Sequence, residues 1–149
     1  MISYADAFQI GIRSAAAADD ARREISGIMQ DFFAEMLELS KGLIEFEVVA
    51  QGRTMSMFQA ASSEKKLVDQ PVIAARNAMR QNQSWSKIST LRLSNEGYPV
   101  NLEYDGFSNS CLDARGLQEG LAEMLANATV GAKLYALMNQ AQAPKVEGD

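Results

Sequence analysis

The chain has 149 residues, 47% hydrophobic and 22% charged, with a formal net charge of −5, one cysteine and no histidine. That length supports a single domain able to bury a core without disulfides or a structural metal. The acidic balance repels phosphate backbones and argues against nucleic-acid binding, and the missing imidazole removes Ser-His and Cys-His catalysis and histidine zinc sites.

Residues 3–39 predict a helix. Ser3, with Asp6 three positions on, is its N-cap signal. Phe8, Ile12 and the Ala15/Ala16 pair follow helical spacing, and Asp19-Asp20 marks either a break with a second cap or a point where the helix runs through. Beyond it Ile25, Ile28, Met29, Phe32, Met36 and Leu39 share one face. Phe33 and Leu37 widen that stripe, so deep embedding is expected. Gly42 is a C-terminal stop.

Residues 43–60 predict a hairpin. Ile44, Phe46, Val48 and Ala50 alternate with Glu45 and Glu47. A two-residue turn at Gln51-Gly52 sets Ala50 against Arg53, Val48 against Met55 and Phe46 against Met57, which keeps the apolar residues on one face. Residues 71–81 predict a short helix, with Pro71 in its first turn and Val72, Ala75 and Met79 behind it; an edge strand from Leu67 to Ile73 is the alternative.

A second hairpin spans 86–104. Leu93 is expected opposite Val100 and Leu91 opposite Leu102, across the loop Asn95-Glu96-Gly97-Tyr98 with Gly97 at positive φ. Thr90, Arg92, Asn101 and Glu103 then form the polar face, and Asp105-Gly106-Phe107 follow as a loop. Residues 113–140 predict helices, with Asp113 as a cap and Thr129 as a restart. The tail 141–149 lacks apolar pattern and is expected to fray. The expected fold is α+β: an antiparallel sheet of about four strands in two hairpins, packed against N- and C-terminal helices.

Little in this order carries catalytic chemistry. Cys111 near a helix start could be a nucleophile, but Asp113 is close and no histidine base exists; a buried small side chain is the plainer reading. Ser63/Lys66 and Ser84/Lys87 have the SxxK spacing without its companion motifs. Gly116 and Gly120, four apart on a helix, point to close packing. No Gly-rich phosphate loop or calcium loop is present, so no cofactor or metal is expected. The first twenty residues lack the basic and apolar parts of a signal peptide, and no apolar run approaches the ~20 residues that span a bilayer. With a lone cysteine this predicts a cytoplasmic protein with no membrane association. What stands out is a surface: Glu45, Glu47 and Glu103 on the polar sheet face, with Arg92 and Asn101 beside them and Asp105 and Phe107 as an acidic, aromatic continuation. Such a surface suits a protein partner with a basic face.

The stretch "WSKISTLRLSNEGYPVNLEYDG" followed by "LDARGLQEGLAEMLAN" resembles small bacterial toxin-immunity proteins, of the kind that neutralise contact-dependent or type VI-delivered toxins. The resemblance covers about half the chain. It implies a cytoplasmic, non-catalytic protein that binds a cognate toxin domain tightly and blocks its active site or substrate entry. The chain is also similar to type III secretion chaperones, which are small, acidic and α+β with a closing helix after a hairpin. That would imply a homodimer holding an effector segment in apolar grooves; the helix over 3–39, ahead of the first strand, departs from their pattern. An enzyme working through carboxylates or Cys111 is the third reading.

Overall fold

A computed structural model describes residues 2–50, 53–54, 70–80 and 84–140. In chain order they form helix α1 (Tyr4–Leu39), strands β1 (Ile44–Ala50), β2 (Arg53–Thr54), β3 (Val72–Asn77), β4 (Ser86–Ser94), β5 (Gly97–Tyr104) and β6 (Phe107–Cys111), and helices α2 (Ala114–Ala126) and α3 (Ala128–Gln140). The strands make one six-stranded sheet in the order β2-β1-β3-β4-β5-β6, antiparallel throughout. The fold is α+β, with the long N-terminal helix and the two C-terminal helices packed against the sheet.

α1 is continuous for 36 residues. Ser3 caps it by accepting from the Asp6 amide at 3.2 Å. Asp19 and Asp20 do not break it; they sit a turn from Arg22 and Arg23 and form exposed ion pairs with them. It ends where the Gly42 amide, at φ 82°, reaches back to the Leu37 carbonyl at 2.8 Å. The expected deep embedding holds only in part: Ile28, Phe32, Phe33 and Met36 pack half-buried against the core. Ile25 and Met29 are the helix's buried residues, whereas Leu37 and Leu39 are exposed and every residue from 4 to 17 lies outside the body. The apolar stripe is longer than the sheet it packs on.

The region expected as a helix at 71–81 is instead β3, an interior strand between β1 and β4. The pairs Phe46↔Ala75 and Val48↔Ile73 put Ile73 and Ala75 in the core, and Ala74 is buried on the opposite face. A strand hydrogen-bonded on both edges and buried on both faces loses the alternation that marks a half-buried strand. Val72, Ala75 and Met79 matched helical spacing by coincidence, and pairing on two sides outweighed it. β1 therefore takes β3 as its main partner. The expected first hairpin survives at its turn, with Ala50↔Arg53 and Val49↔Thr54; the expected pairs Val48/Met55 and Phe46/Met57 fall outside the described residues.

The second hairpin has the expected register, Leu93↔Val100 and Leu91↔Leu102. The strands close further than expected, to Ser94↔Gly97, through an irregularity between Leu93 and Ser94. Gly97 adopts φ 96°, and an added Cβ would lie 2.8 Å from the Ala21 Cβ, so the hairpin tip rests directly on α1. Tyr98 Oη donates to Glu24 Oε1 at 2.8 Å, and Arg22 donates to the Asn95 carbonyl, fastening the same contact.

Residues 105–107, expected as a loop, instead open a further hairpin that runs to Cys111. Asp105 (φ 51°) and Gly106 (φ 78°) form a two-residue turn, after which β6 pairs along β5. Asp-Gly with both residues at positive φ is the turn whose twist matches antiparallel strands. The strand it introduces, Phe-Ser-Asn-Ser-Cys, is too polar to announce itself. α2 is capped by Asp113, which accepts from the Gly116 amide at 2.8 Å. The helices then break at Asn127, not Thr129: Asn127 is extended (ψ 134°), and its side chain accepts from the Val130 amide at 3.0 Å.

The core lies between the sheet and the helices. β1 contributes Ile44, Phe46 and Val48, β4 and β5 contribute Leu91, Leu93, Val100 and Leu102, and the helices contribute Ile25, Met29, Leu117, Leu121, Met124, Val130 and Leu137. Phe32, Phe33 and Phe46 form an aromatic cluster with ring centroids 5.5–6.3 Å apart. Each buried side chain of this size contributes about 1.5–3 kcal/mol of transfer free energy.

Candidate functional site

The sheet face opposite the core rows is built by the alternate residues of each strand. The register runs Glu45↔Arg76, Glu47↔Ala74↔Lys87, Thr90↔Glu103↔Ser108 and Arg92↔Asn101↔Ser110. Glu45, Glu47, Arg92, Asn101 and Glu103 therefore share one face, but they do not form one patch. Glu45 and Glu47 are on β1 and Glu103 is on β5, with β3 and β4 between them, about 14 Å away at 4.8 Å per strand. Arg76, Lys87 and Arg92 interleave, so the face is mixed in charge.

On the β1 side, Arg76 Nε meets Glu45 Oε1 at 3.0 Å, and the Arg76 guanidinium lies 4.2 Å from the ring centre of Trp85. Glu45 is thus held by an ion pair whose cation also stacks on an aromatic face. Glu47 is stabilised as an anion by a hydrogen bond at the Val48 backbone and by the Arg76 charge, but both are outweighed. Burial pushes its carboxyl pKa up, and the neighbouring Glu45 charge adds to the effect.

On the β5 side, Arg92 is exposed opposite Asn101, with its Nη2 3.4 Å from Gln70 Oε1. Glu103 pairs with Thr90, whose hydroxyl is 3.5 Å from Glu103 Oε1. At the end of the sheet where β4 starts and β5 turns into β6, a cleft of about 420 Å³ opens. Lys87, Thr90, Glu103, Asp105, Phe107 and Lys133 line it. Lys133 Nζ, from α3, donates to the Lys87 carbonyl at 3.1 Å and holds that rim. Phe107 is 60% exposed, pairs with Tyr104 across the strands and stands 6.4 Å from its ring. Asn127 Nδ2 donates to Asp105 Oδ2 at 3.1 Å, tying the turn to the α2–α3 junction.

Of the residues expected from the sequence, the structure brings Glu103, Asp105 and Phe107 to one cleft, but Phe107, paired with Tyr104 in the row of Leu102 and Val100, stands on the core side of the sheet and not on the acidic face; Arg92 and Asn101 lie one row away, and Glu45 and Glu47 lie across the sheet. Sequence reasoning missed Lys87, Lys133, Arg76 and Trp85. Arg76 was hidden by reading 71–81 as a helix, and nothing in the spacing of Lys133 ties it to β4.

Cys111 ends β6 and is 2% exposed. Burial raises its thiol pKa, and the charge of Glu123 raises it further, so the thiol stays protonated. Its Sγ packs on α2: a Cβ at Gly120 would sit 2.7 Å from it, and one at Gly116 would sit 3.7 Å from the Cys111 Cα. Gly120 lets α2 lie against β6, as the glycine spacing suggested, whereas at Gly116 the closest atom is Oδ1 of the cap residue Asp113 at 3.1 Å. Among the described residues no group of three or more histidine, cysteine, aspartate or glutamate side chains could hold a metal ion. Among the same residues no helix is long and apolar enough to cross a membrane.

A second surface lies on the helical side. Ile28, Phe32, Met36 and Leu39 of α1 face Leu121 and Leu125 of α2 across a groove of about 340 Å³, with Asp31 and Glu35 on its rim. No protein-family model, curated protein or solved structure matches this chain.

Proposed function

We propose that the protein is a non-catalytic binding module that acts by occupying another protein, and that it serves as an immunity protein against a cognate bacterial toxin domain. The observation that carries this reading is Phe107. It is a largely exposed aromatic ring on the first residue of β6, directly after the Asp105-Gly106 turn, with charged groups of both signs around it and a cleft beside it. Aromatic anchors flanked by a polar rim dominate the energetics of protein interfaces. Glu103 and Asp105 would meet basic groups of the partner, and Lys87 and Lys133 its acidic ones. The test is binding of the full chain to the toxin domain encoded beside its gene, by calorimetry, together with inhibition of that toxin's activity. Stoichiometric, nanomolar association with loss of toxin activity supports the reading; no association with a neighbouring gene product, or association without inhibition, removes it.

The groove between α1 and α2 favours a second reading, a chaperone that shields an apolar effector segment. A chaperone binds an extended or unfolded segment and not the folded toxin domain, so the same calorimetry with a peptide and with the folded domain separates the two.

A further inference from the structure

We infer that the partner attaches by adding an extended, basic segment to the free edge of β6. This rests on the reading above only for there being a protein partner, and it names how that partner is held. β6 is the last strand of the sheet, and no register shift interrupts its pairing with β5. Tyr104 and Phe107 flank a two-residue turn, so they exchange main-chain hydrogen bonds, and the pairing alternates from there. The main chain of Phe107, Asn109 and Cys111 therefore faces β5, and that of Ser108 and Ser110 faces outward. Both serines are exposed, and among the described residues no hydrogen bond reaches their outward groups. Sheet edges are commonly closed against pairing by lysine, proline or a bulge, and Phe107–Cys111 carries none of these. Such an edge is a template for an added strand.

The charges around the edge say what it takes. On the core side, Asn109 Nδ2 donates to Glu123 Oε1 at 3.1 Å, which holds that carboxylate over β6. On the opposite face Glu103 stands beside Ser108 in one row, and Asp105 lies in the turn at the end of the strand. Arg115 of α2 is already engaged by Glu119 at 3.1 Å. The edge is thus acidic on both faces. A second copy pairing antiparallel through both serines would place its two-fold axis at Asn109, and the two Glu123 carboxylates would meet across it. Like charges opposed in this way destabilise a strand pair. A basic strand meets no such conflict. Side chains two apart on a strand share a face, so one beside Phe107 and one beside Asn109 both point to the α2 side. An apolar group at the first packs on the Phe107 ring, and a lysine or arginine at the second meets Glu123. On the other face, a long basic side chain in the row of Ser108 starts two strand spacings, about 10 Å, from Glu103. The small serine between them leaves its path open.

The experiment titrates the full chain with a blocked synthetic peptide, Thr-Lys-Thr-Leu-Thr-Lys-Thr, and reads main-chain amide shifts and hydrogen exchange by NMR. It uses no toxin domain, so its failure and the failure of the immunity reading are separate results. In the free chain the Ser108 and Ser110 amides should exchange fast and those of Asn109 and Cys111 slowly. The peptide should shift and protect the two serine amides. Replacing its lysines by glutamate, or methylating its main-chain nitrogens, should each weaken binding at least tenfold. Ser110→Pro removes an outward amide that β5 does not use, so it should abolish binding while the Asn109 and Cys111 amides stay protected. The methylated peptide makes the same test without altering the chain. Serine amides that ignore the peptide at millimolar concentration overturn the inference. So does equal binding of the lysine and glutamate peptides, or of the methylated one. Protection of the same amides that grows with protein concentration in the absence of peptide gives the edge to a second copy and also overturns it.

Discussion

Asn77 Nδ2 donates to the main-chain carbonyl of Leu137 at 2.7 Å, joining the end of β3 to α3 across the core. Asn77 is fully buried, and its Oδ1 accepts from the Met79 amide at 2.8 Å, so both ends of the amide are used. One side chain thus ends the strand and fixes the helix. Replacing it by alanine leaves a helix carbonyl and a backbone amide without partners in a buried site, a loss of about 1–3 kcal/mol. Asn77→Asp keeps the acceptor but puts an oxygen against the Leu137 carbonyl. Its destabilisation should exceed that of the alanine variant at neutral pH and shrink as the carboxyl is protonated. Urea denaturation of both variants at two pH values checks this.

The close approach of α2 to β6 makes Gly120 intolerant of a side chain. Gly120→Ala would place its Cβ 2.7 Å from Cys111 Sγ and 3.2 Å from Asn109 Nδ2. Overpacking of this kind costs about 1–3 kcal/mol. In the Cys111→Ala background the nearest obstacle is gone, and the added penalty should fall. A double-mutant cycle measured by chemical denaturation gives the coupling; strict additivity would show that the helix moves instead.

Glu47 makes stability depend on pH. Its pKa lies above the ordinary 4.5 in the folded chain, because burial and the Glu45 charge disfavour ionisation. The folded state therefore binds the proton more tightly than the unfolded one. Stability attributable to this group is greatest at low pH and is lost as pH rises through the window just above 4.5. Glu47→Gln removes that loss. The stability of the variant relative to the native chain should rise between pH 4 and pH 7, as read by the denaturation midpoint. A difference independent of pH would mean Glu47 is solvated.

Phe107→Ala should weaken association with the toxin domain proposed as partner at least tenfold, about 1.4 kcal/mol, while changing stability by less than about 0.5 kcal/mol because the ring is largely exposed. Glu103→Lys should weaken it less, and more at low salt than at high. Charge reversal at Glu47 should have the smallest effect on affinity, since β3 and β4 separate it from the cleft. Equal affinities for the native chain and Phe107→Ala would move the binding surface elsewhere.

The elements legible in the chain alone are those whose signals are local. Ser3 and Asp113 cap their helices because a short polar side chain satisfies nearby amides wherever the chain goes next. Leu91, Leu93, Val100 and Leu102 set the register of β4 on β5 because a slip by one residue would put that face in water. The rest follows from pairing and packing between distant parts of the chain. Val72–Asn77 became a strand through hydrogen bonds on two edges that its own residues do not encode, and Phe107–Cys111 became one by pairing along β5 after an Asp-Gly turn. The face shared by Glu45, Glu47 and Glu103 was legible from alternation alone. Their separation by two strands, and the arrival of Lys133 beside Phe107, follow from strand order and helix docking, which depend on contacts between residues far apart in the chain.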